Sequence, residues 1–299
     1  PISKGLCLQF ALCQKNYSIG DVFPTQNDWS YVLNTLNLGC QMRSDNSGYP
    51  AQTDWPAELC FLVGLTREIR DVEGGKTPVE LQVPANVDWH AFIKLAEFHR
   101  VEGLVALALR CRSSMQVPTE VLNHFNSRLN ALSLTAMLNV RATIEISQAL
   151  SGAGVQNLLL KGQAVAARYY TDANIRQSID CDFLISPTDL VAARSIVERL
   201  GFRQYSPDCR EPERCTDLLQ YLGNSLSYVR PSDGAQLDLH WKLHPIDSLL
   251  DWDLAELINQ GHHVTLGGVD ILVLSPQRQF SYLCVHGAKH AWFRMKWLA

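Results

Sequence analysis

Asp180 and Asp182 stand on either side of Cys181 in the apolar run Ile179-Asp180-Cys181-Asp182-Phe183-Leu184-Ile185. In a strand, residues two apart face the same side, so the two carboxylates project together. A carboxylate pair on a buried strand is costly unless a cation faces it. A divalent metal ion is the usual solution. Leu237-Asp238-Leu239-His240-Trp241 is a second strand-like run, and Asp238 offers a third carboxylate. Two acids on one strand and one on another can hold two divalent ions, roughly 3.5–4 Å apart, for in-line displacement at phosphorus. Nucleotidyl transfer is the chemistry this geometry suggests. Hard oxygen ligands favour Mg2+, with Mn2+ as the alternative.

The residues around the acids have to place a substrate. Leu158-Leu159-Leu160-Lys161-Gly162 reads as a strand that ends in a cation and opens a helix, which sets backbone N–H groups and an ammonium where a phosphate can sit. Arg176, four residues before Asp180, suits either phosphate contact or a structural ion pair with Asp180. His240 shares a face with Asp238 and suits a site role or a hydrogen-bonded structural one. His286 and His290 are four apart on a helical pattern, but the stretch His-Gly-Ala-Lys-His lacks the Glu of a zincin motif. Core packing or acceptor contact is therefore preferred to zinc there, and Trp241, Trp292 and Trp297 are read as core.

The expected fold class is α+β. Residues 1–150 read as a mainly helical region: Pro56 to Val72, a helix capped by Asp88 through His99, Val101 to Cys111, and Thr119 to Leu150. The last of these would be roughly 48 Å long if unbroken. Residues 1–50 carry little pattern beyond a helical start at Asp28-Trp29. After Ser151-Gly152-Ala153-Gly154 the pattern changes to short strands and helices, marking a small mixed-sheet core over 151–245. Strands are expected at 155–160, 179–185, 225–229 and 236–241, another follows Gly201-Phe202, and helices fall at 163–170 and 187–200. Cys209 to Tyr221 is mixed. Residues 246–299 read as a hairpin across Gly267-Gly268 and a closing helix from Pro276 to Leu298.

Composition narrows the partners. The chain has 299 residues, 46% hydrophobic and 19% charged, and a formal net charge of −4, which is ordinary for a globular protein. Such a charge gives no electrostatic footprint for a phosphate backbone, so long nucleic acid is disfavoured as a partner. No CxxC pair occurs among the nine cysteines, and their apolar settings fit a reducing, cytoplasmic compartment. No run reaches the roughly 18 apolar residues of a membrane span, and the Gly5–Cys13 stretch is a poor signal peptide.

In this combination the chain resembles the DNA polymerase β-type nucleotidyltransferase superfamily, and more closely its bacterial branch of nucleotidyltransferase family proteins. The resemblance lies in Leu160-Lys161-Gly162, Tyr169-Tyr170, Arg176 ahead of Asp180-Cys181-Asp182, and Leu237-Asp238-Leu239-His240-Trp241. The region around Trp89 and His99-Arg100 and the ending His286-Gly287…His290…Trp292 extend it over roughly 86–299. It implies a polymerase β-like core and transfer of an NMP from an NTP, ATP among them, to an acceptor with release of pyrophosphate. Asp180, Asp182 and Asp238 would be the metal ligands and catalytic acids, Asp238 also the base. Lys161, Gly162, Arg176 and His240 would contact the nucleotide. Two positions depart from the superfamily. Lys161-Gly162 replaces the usual Gly-Ser pair, and Cys181 replaces an aliphatic residue and should face the packed side. The acceptor, a small molecule or a protein side chain, is not legible. A catalytically silent module of the same fold, or a phosphoryl transferase using the same metals, are the rival readings.

Overall fold

The computed structural model describes residues 55–73, 81–112, 115–207, 223–246 and 249–297. The expected helix at Asp28-Trp29 and the mixed segment 209–221 lie outside them.

Four helices open the described chain: α1 (Ala57–Glu73), α2 (Trp89–His99), α3 (Glu102–Cys111) and α4 (Thr119–Gly152). The Asp88 carboxylate caps α2 by accepting from the His90 and Ala91 N–H groups, satisfying donors that the first turn leaves free. Arg100 ends it in the left-handed region at φ 54°. Phe61, Leu65, Phe92, Val105, Phe125 and Leu129 meet between these helices as one apolar core.

Helix α4 runs unbroken for 34 residues, about 51 Å at 1.5 Å per residue. Its first half buries Val121, Phe125 and Leu129 in the helical core, and its second half buries Ala142, Ile146 and Leu150 against the sheet. A polar line on the same helix fixes its height. Asn139 Nδ2 donates to the Ser178 carbonyl at 2.9 Å, Thr143 Oγ1 lies 3.2 Å from Cys181 Sγ, and Ser147 Oγ donates to Asn157 Oδ1 at 3.1 Å.

The remaining elements are β1 (Asn157–Leu159), α5 (Gln163–Tyr169), β2 (Asp180–Ile185), α6 (Leu190–Arg199), β3 (Arg203–Ser206), β4 (Ser225–Val229), β5 (Gln236–His240), α7 (Leu254–Asn259), β6 (His262–Leu266), β7 (Val269–Val273) and α8 (Pro276–Lys289). The strands form one seven-stranded sheet in the order β3-β4-β5-β2-β1-β7-β6. β2 pairs parallel with β5 and antiparallel with β1, while β7 pairs parallel with β1. The α+β expectation holds. Helices α4 and α6 cover one face; on the other, Leu158, Leu160 and Leu184 pack with Leu257 of α7 and Tyr282 of α8.

Two features differ from expectation. The closing helix stops at Lys289 instead of running to Leu298. Ala291 and Trp292 take φ values of 50° and 51°, outside any helix, and the Trp292 N–H turns back to the Gly287 carbonyl at 3.0 Å. Its ring lies against α8 at Gly287, where a side chain would collide with it. A 3-10 turn over Met295–Trp297 follows, pinned to α2 by a 3.2 Å bond from the Met295 N–H to His99 Nδ1. The short helix α7 was not expected; the Asp253 carboxylate accepts from the Glu256 N–H at its start.

Helix α3 approaches the 3-10 turn Ala173–Ile175 so closely that a Cβ on Gly103 would overlap the Ile175 carbonyl. That contact positions the segment leading to Arg176. Ala is ordinarily better than Gly inside a helix by about 1 kcal/mol. Here Gly103→Ala is expected instead to lower stability, by about 1–3 kcal/mol as overpacking does, measured by urea denaturation.

Candidate active site

Asp182 faces Asp238 directly across the parallel pair β2/β5, and Leu184 faces His240. Period two sorts these strands cleanly. Cys181, Phe183, Ile185, Leu237, Leu239 and Trp241 pack into the core under α4 and α6, leaving Asp180, Asp182, Asp238 and His240 for the opposite face. Cys181 lies on the packed side as expected. One donor atom each from Asp182, Asp238 and His240 falls within a mutual distance of 4.8 Å.

Asp182 is wholly buried. Its Oδ1 lies 2.6 Å from Lys161 Nζ and 3.2 Å from His240 Nε2, while its Oδ2 is buried with no hydrogen-bond partner. Asp180 is partly exposed, its Oδ2 3.5 Å from the same ammonium. Asp238 accepts a 2.6 Å hydrogen bond from Ser227 Oγ, and Asn224 Nδ2 stands 3.5 Å from His240 Nδ1.

Local backbone geometry delivers Lys161 to this point. The Leu160 N–H donates to the Asp182 carbonyl at 2.9 Å, so β1 and β2 stay joined to the last residue before the lysine. Gly162 then turns the chain into α5 with φ 63°, and a Cβ there would stand 2.6 Å from Ser178 Oγ. Both conditions exclude a larger residue. Arg176 braces the turn, its guanidinium donating to the Gly162 carbonyl at 3.3 Å.

A family model described as "Uncharacterised nucleotidyltransferase" matches residues 85–299. The chain belongs to that family. No curated protein and no solved structure gives a significant match. The family's span begins just before α2 and takes in every residue of the acid cluster.

Within this nucleotidyltransferase fold the charges are strongly coupled. Burial works against the charge on both Lys161 and Asp182, yet each is held charged by the other. The lysine lies well above its ordinary range because of Asp182 and Asp180. Asp182 lies well below the carboxylate range because Lys161 and His240 outweigh its burial. Asp180 goes the other way: burial and the neighbouring Asp182 charge raise it despite Lys161. Tyr282, on α8, is pushed up by burial and feels Lys161 and all three acids.

The structure therefore brings together Lys161, Asp180, Asp182, Asp238 and His240, with Arg176 and Gly162 at the border. Asp180 stands outside the tightest trio, whose third member is His240. Lys161, expected at a phosphate, points its ammonium at the acids. Ser227 and Tyr282 were missed. Alternation along β4 carried a signal for Ser227, whose register partner is Asp238; for Tyr282, an aromatic among others on a helix, there was none. His286 and His290 pack on Trp297, His290 stacked at 5.4 Å and 11°. Among the described residues, the groups of three or more side chains spaced to hold a metal reduce to Asp182, Asp238 and His240.

Removing one partner of a buried ion pair leaves an uncompensated charge, at about 3–5 kcal/mol. Lys161→Met is expected to lose that much in chelator, and the double variant Lys161→Met/Asp182→Asn less than the sum of the singles, a coupling read from a urea-denaturation cycle. Burial also holds His99 down to about 4, with Arg294 adding to it, and His286 down to about 2, with Lys161 and His290 adding to it. Both stay neutral in the fold but protonate in the unfolded chain once pH falls below roughly 6.5. Stability is then expected to fall from that pH downward, by up to about 1.4 kcal/mol per pH unit for each. The Asp182 contribution, from a carboxylate held low, is lost only in stronger acid. Urea melts at several pH values between 7.5 and 5 check this, with a shallower slope for His286→Gln.

Proposed function

We propose that this protein is a metal-dependent nucleotidyltransferase of the polymerase β-type superfamily. It transfers an NMP from an NTP to an acceptor nucleophile and releases pyrophosphate. The observation that carries the reading is the in-register pair Asp182–Asp238 beside His240, within a chain of the nucleotidyltransferase family. The donor set fits a hard divalent cation. It is rich in carboxylate oxygen, and Asp182 Oδ2 is a buried acceptor with nothing yet to bond.

Asp182 and Asp238 are the ligands proposed to hold Mg2+ or Mn2+, with Asp180 and His240 beside them. The bound ion would supply positive charge at the phosphoryl oxygens and acidify an adjacent hydroxyl. The chain's own residues do the rest. Ser227 fixes the Asp238 carboxylate by its hydrogen bond, so that Asp238 can take the acceptor's proton. His240 and Lys161 keep Asp182 ionised. Arg176 and the Gly162 turn border the place of the nucleotide. Positioning and preorganised charge would supply most of the acceleration.

A small metabolite or a protein side chain is the proposed acceptor, in preference to long nucleic acid, given the net charge of −4. A cytoplasmic setting is proposed as well, where NTPs and magnesium are at hand. Among the described residues, Cys111 and Cys181 are free thiols, and no helix is long and apolar enough to cross a membrane. One observation favours a second reading, the silent module: Lys161 already neutralises Asp182, as a site retired from metal binding would require.

Thermal melts with ATP, GTP, CTP and UTP, with and without Mg2+ or Mn2+, separate the two. A ligand at about 100 times its Kd adds roughly 2.7 kcal/mol. The transfer reading expects metal-dependent stabilisation that vanishes in Asp180→Asn/Asp182→Asn; no shift with any nucleotide would favour the silent module. Product masses then distinguish nucleotidyl from phosphoryl transfer, as pyrophosphate or nucleoside diphosphate.

A further inference from the structure

Beside the acid cluster lies a cleft lined by three cations from three distant parts of the chain. Arg100 closes α2, Arg176 precedes β2, and Lys296 sits in the C-terminal 3-10 turn; Tyr170, Gln177, Leu104 and Ile175 complete the lining, which contains no carboxylate. Each cation is held there by its segment. The left-handed geometry of Arg100 is fixed by the cap of α2, its N–H directed to the Ala96 and Glu97 carbonyls. Arg176 follows the turn seated on Gly103. Lys296 follows Met295, whose N–H is bonded to His99, the neighbour of Arg100.

The lining gathers like charges with no carboxylate among them. Burial, then Arg100, Arg176 and Lys161 in turn, draw Lys296 down to about 8 against the pull of Asp180. Its ammonium rests over the Trp297 ring, 4.9 Å from the centroid, a contact much weaker than a carboxylate's. A fold gains nothing from gathering like charges from three segments; an anion placed among them would relieve the repulsion and find charge-assisted donors. The cleft also adjoins the acids. Arg176 feels both Asp180 and Asp182, and Lys296 feels Lys161 and Asp180.

We propose that Arg100, Arg176 and Lys296 form a polyphosphate subsite that holds the β- and γ-phosphates of the nucleotide and then the departing pyrophosphate. This rests on the nucleotidyl-transfer reading. In that step the acceptor oxygen bonds to the α-phosphorus while its proton passes to Asp238. The bond from the α-phosphorus to the bridging oxygen breaks, and its electron pair leaves on pyrophosphate, into the cationic cleft. The assignment moves the phosphate tail away from Lys161, whose ammonium is engaged by Asp182, and adds two residues from outside the strand motifs.

The test is calorimetric titration of inorganic pyrophosphate and tripolyphosphate into the full chain, in chelator and low salt, with orthophosphate and sulfate as controls. The wild type is expected to bind tripolyphosphate well above the controls. Arg100→Gln and Lys296→Gln should each weaken it by about tenfold or more, the scale of a charged hydrogen bond. Arg100→Lys should recover part of the loss, and Asp180→Asn/Asp182→Asn should bind at least as tightly as wild type. Wild-type binding no better than sulfate would overturn the proposal, as would unchanged affinity in the two Gln variants with melts showing them folded. The failure of the transfer reading looks different: tripolyphosphate binding still tracks Arg100 and Lys296, but no metal-dependent nucleotide shift accompanies it. That outcome keeps the anion subsite and removes the reaction.

Discussion

The buried Asp182–Lys161 pair is the constraint around which the second half of the chain is organised. A carboxylate with no solvent exposure in the middle of a sheet is tolerable only with an opposite charge and hydrogen-bond donors close by. Lys161 meets the first need at 2.6 Å and His240 contributes from β5. Both depend on strand order, because β2 has β1 on one side and β5 on the other. An ammonium one residue past the β1 bond to Asp182 reaches β2 easily. The antiparallel β1/β2 register and the turn at Gly162 are the backbone conditions for that contact.

The pair does not exhaust the carboxylate. Asp182 Oδ2 keeps no partner, and one donor atom each from Asp182, Asp238 and His240 lies within 4.8 Å of the others. A site built only for stability would gain by filling that place with an apolar residue, since buried ion pairs seldom add net stability. Retaining a buried acid with one oxygen unspent fits a site that gains a further cation when it works. Lys161 then has a reason to be there before that cation arrives: it keeps the apo fold from carrying two bare carboxylates side by side.

How much of this was legible follows from the range of the interactions. The period-two pattern of 180–185 and 236–240 put Asp180, Asp182, Asp238 and His240 on one face without knowledge of the pairing, and the 3.6-residue pattern of α4 carried its full length. What sequence pattern did not carry is contact between distant segments. The ammonium of Lys161 looked like a phosphate ligand because its spacing suits one, and only the strand order turns it to Asp182. The join of β7 to β1 has no local signature. Residues 290–297 have the composition of a helix continuing from α8, but the left-handed Ala291 and Trp292 fold them back onto α2, a tertiary choice that propensity does not register. Arg100 and Lys296, 196 positions apart, come together only through that fold-back.

The same fold-back gives the two cores a shared purpose. Helix α4 spans both, so the helical region is locked to the sheet at a fixed height by Asn139, Thr143 and Ser147. The loop carrying Arg176 lies between them, touching α3 through Ile175 and the Lys161–Gly162 turn through its guanidinium. The acids belong to the sheet, Arg100 to the helical region, and Lys296 to a tail that bridges them. A negative cluster and a positive cluster are thus built from different cores and set side by side, with Arg176 and Lys161 at the seam. For a substrate with a reacting phosphorus at one end of a polyanionic tail, that order of charge is the useful one. In the proposed transfer the acids would gather metal ions at the point of bond exchange, and the cations would draw the leaving end away from it. Neither core alone contains both halves, so the seating of α4 on the sheet also sets the distance between the two clusters.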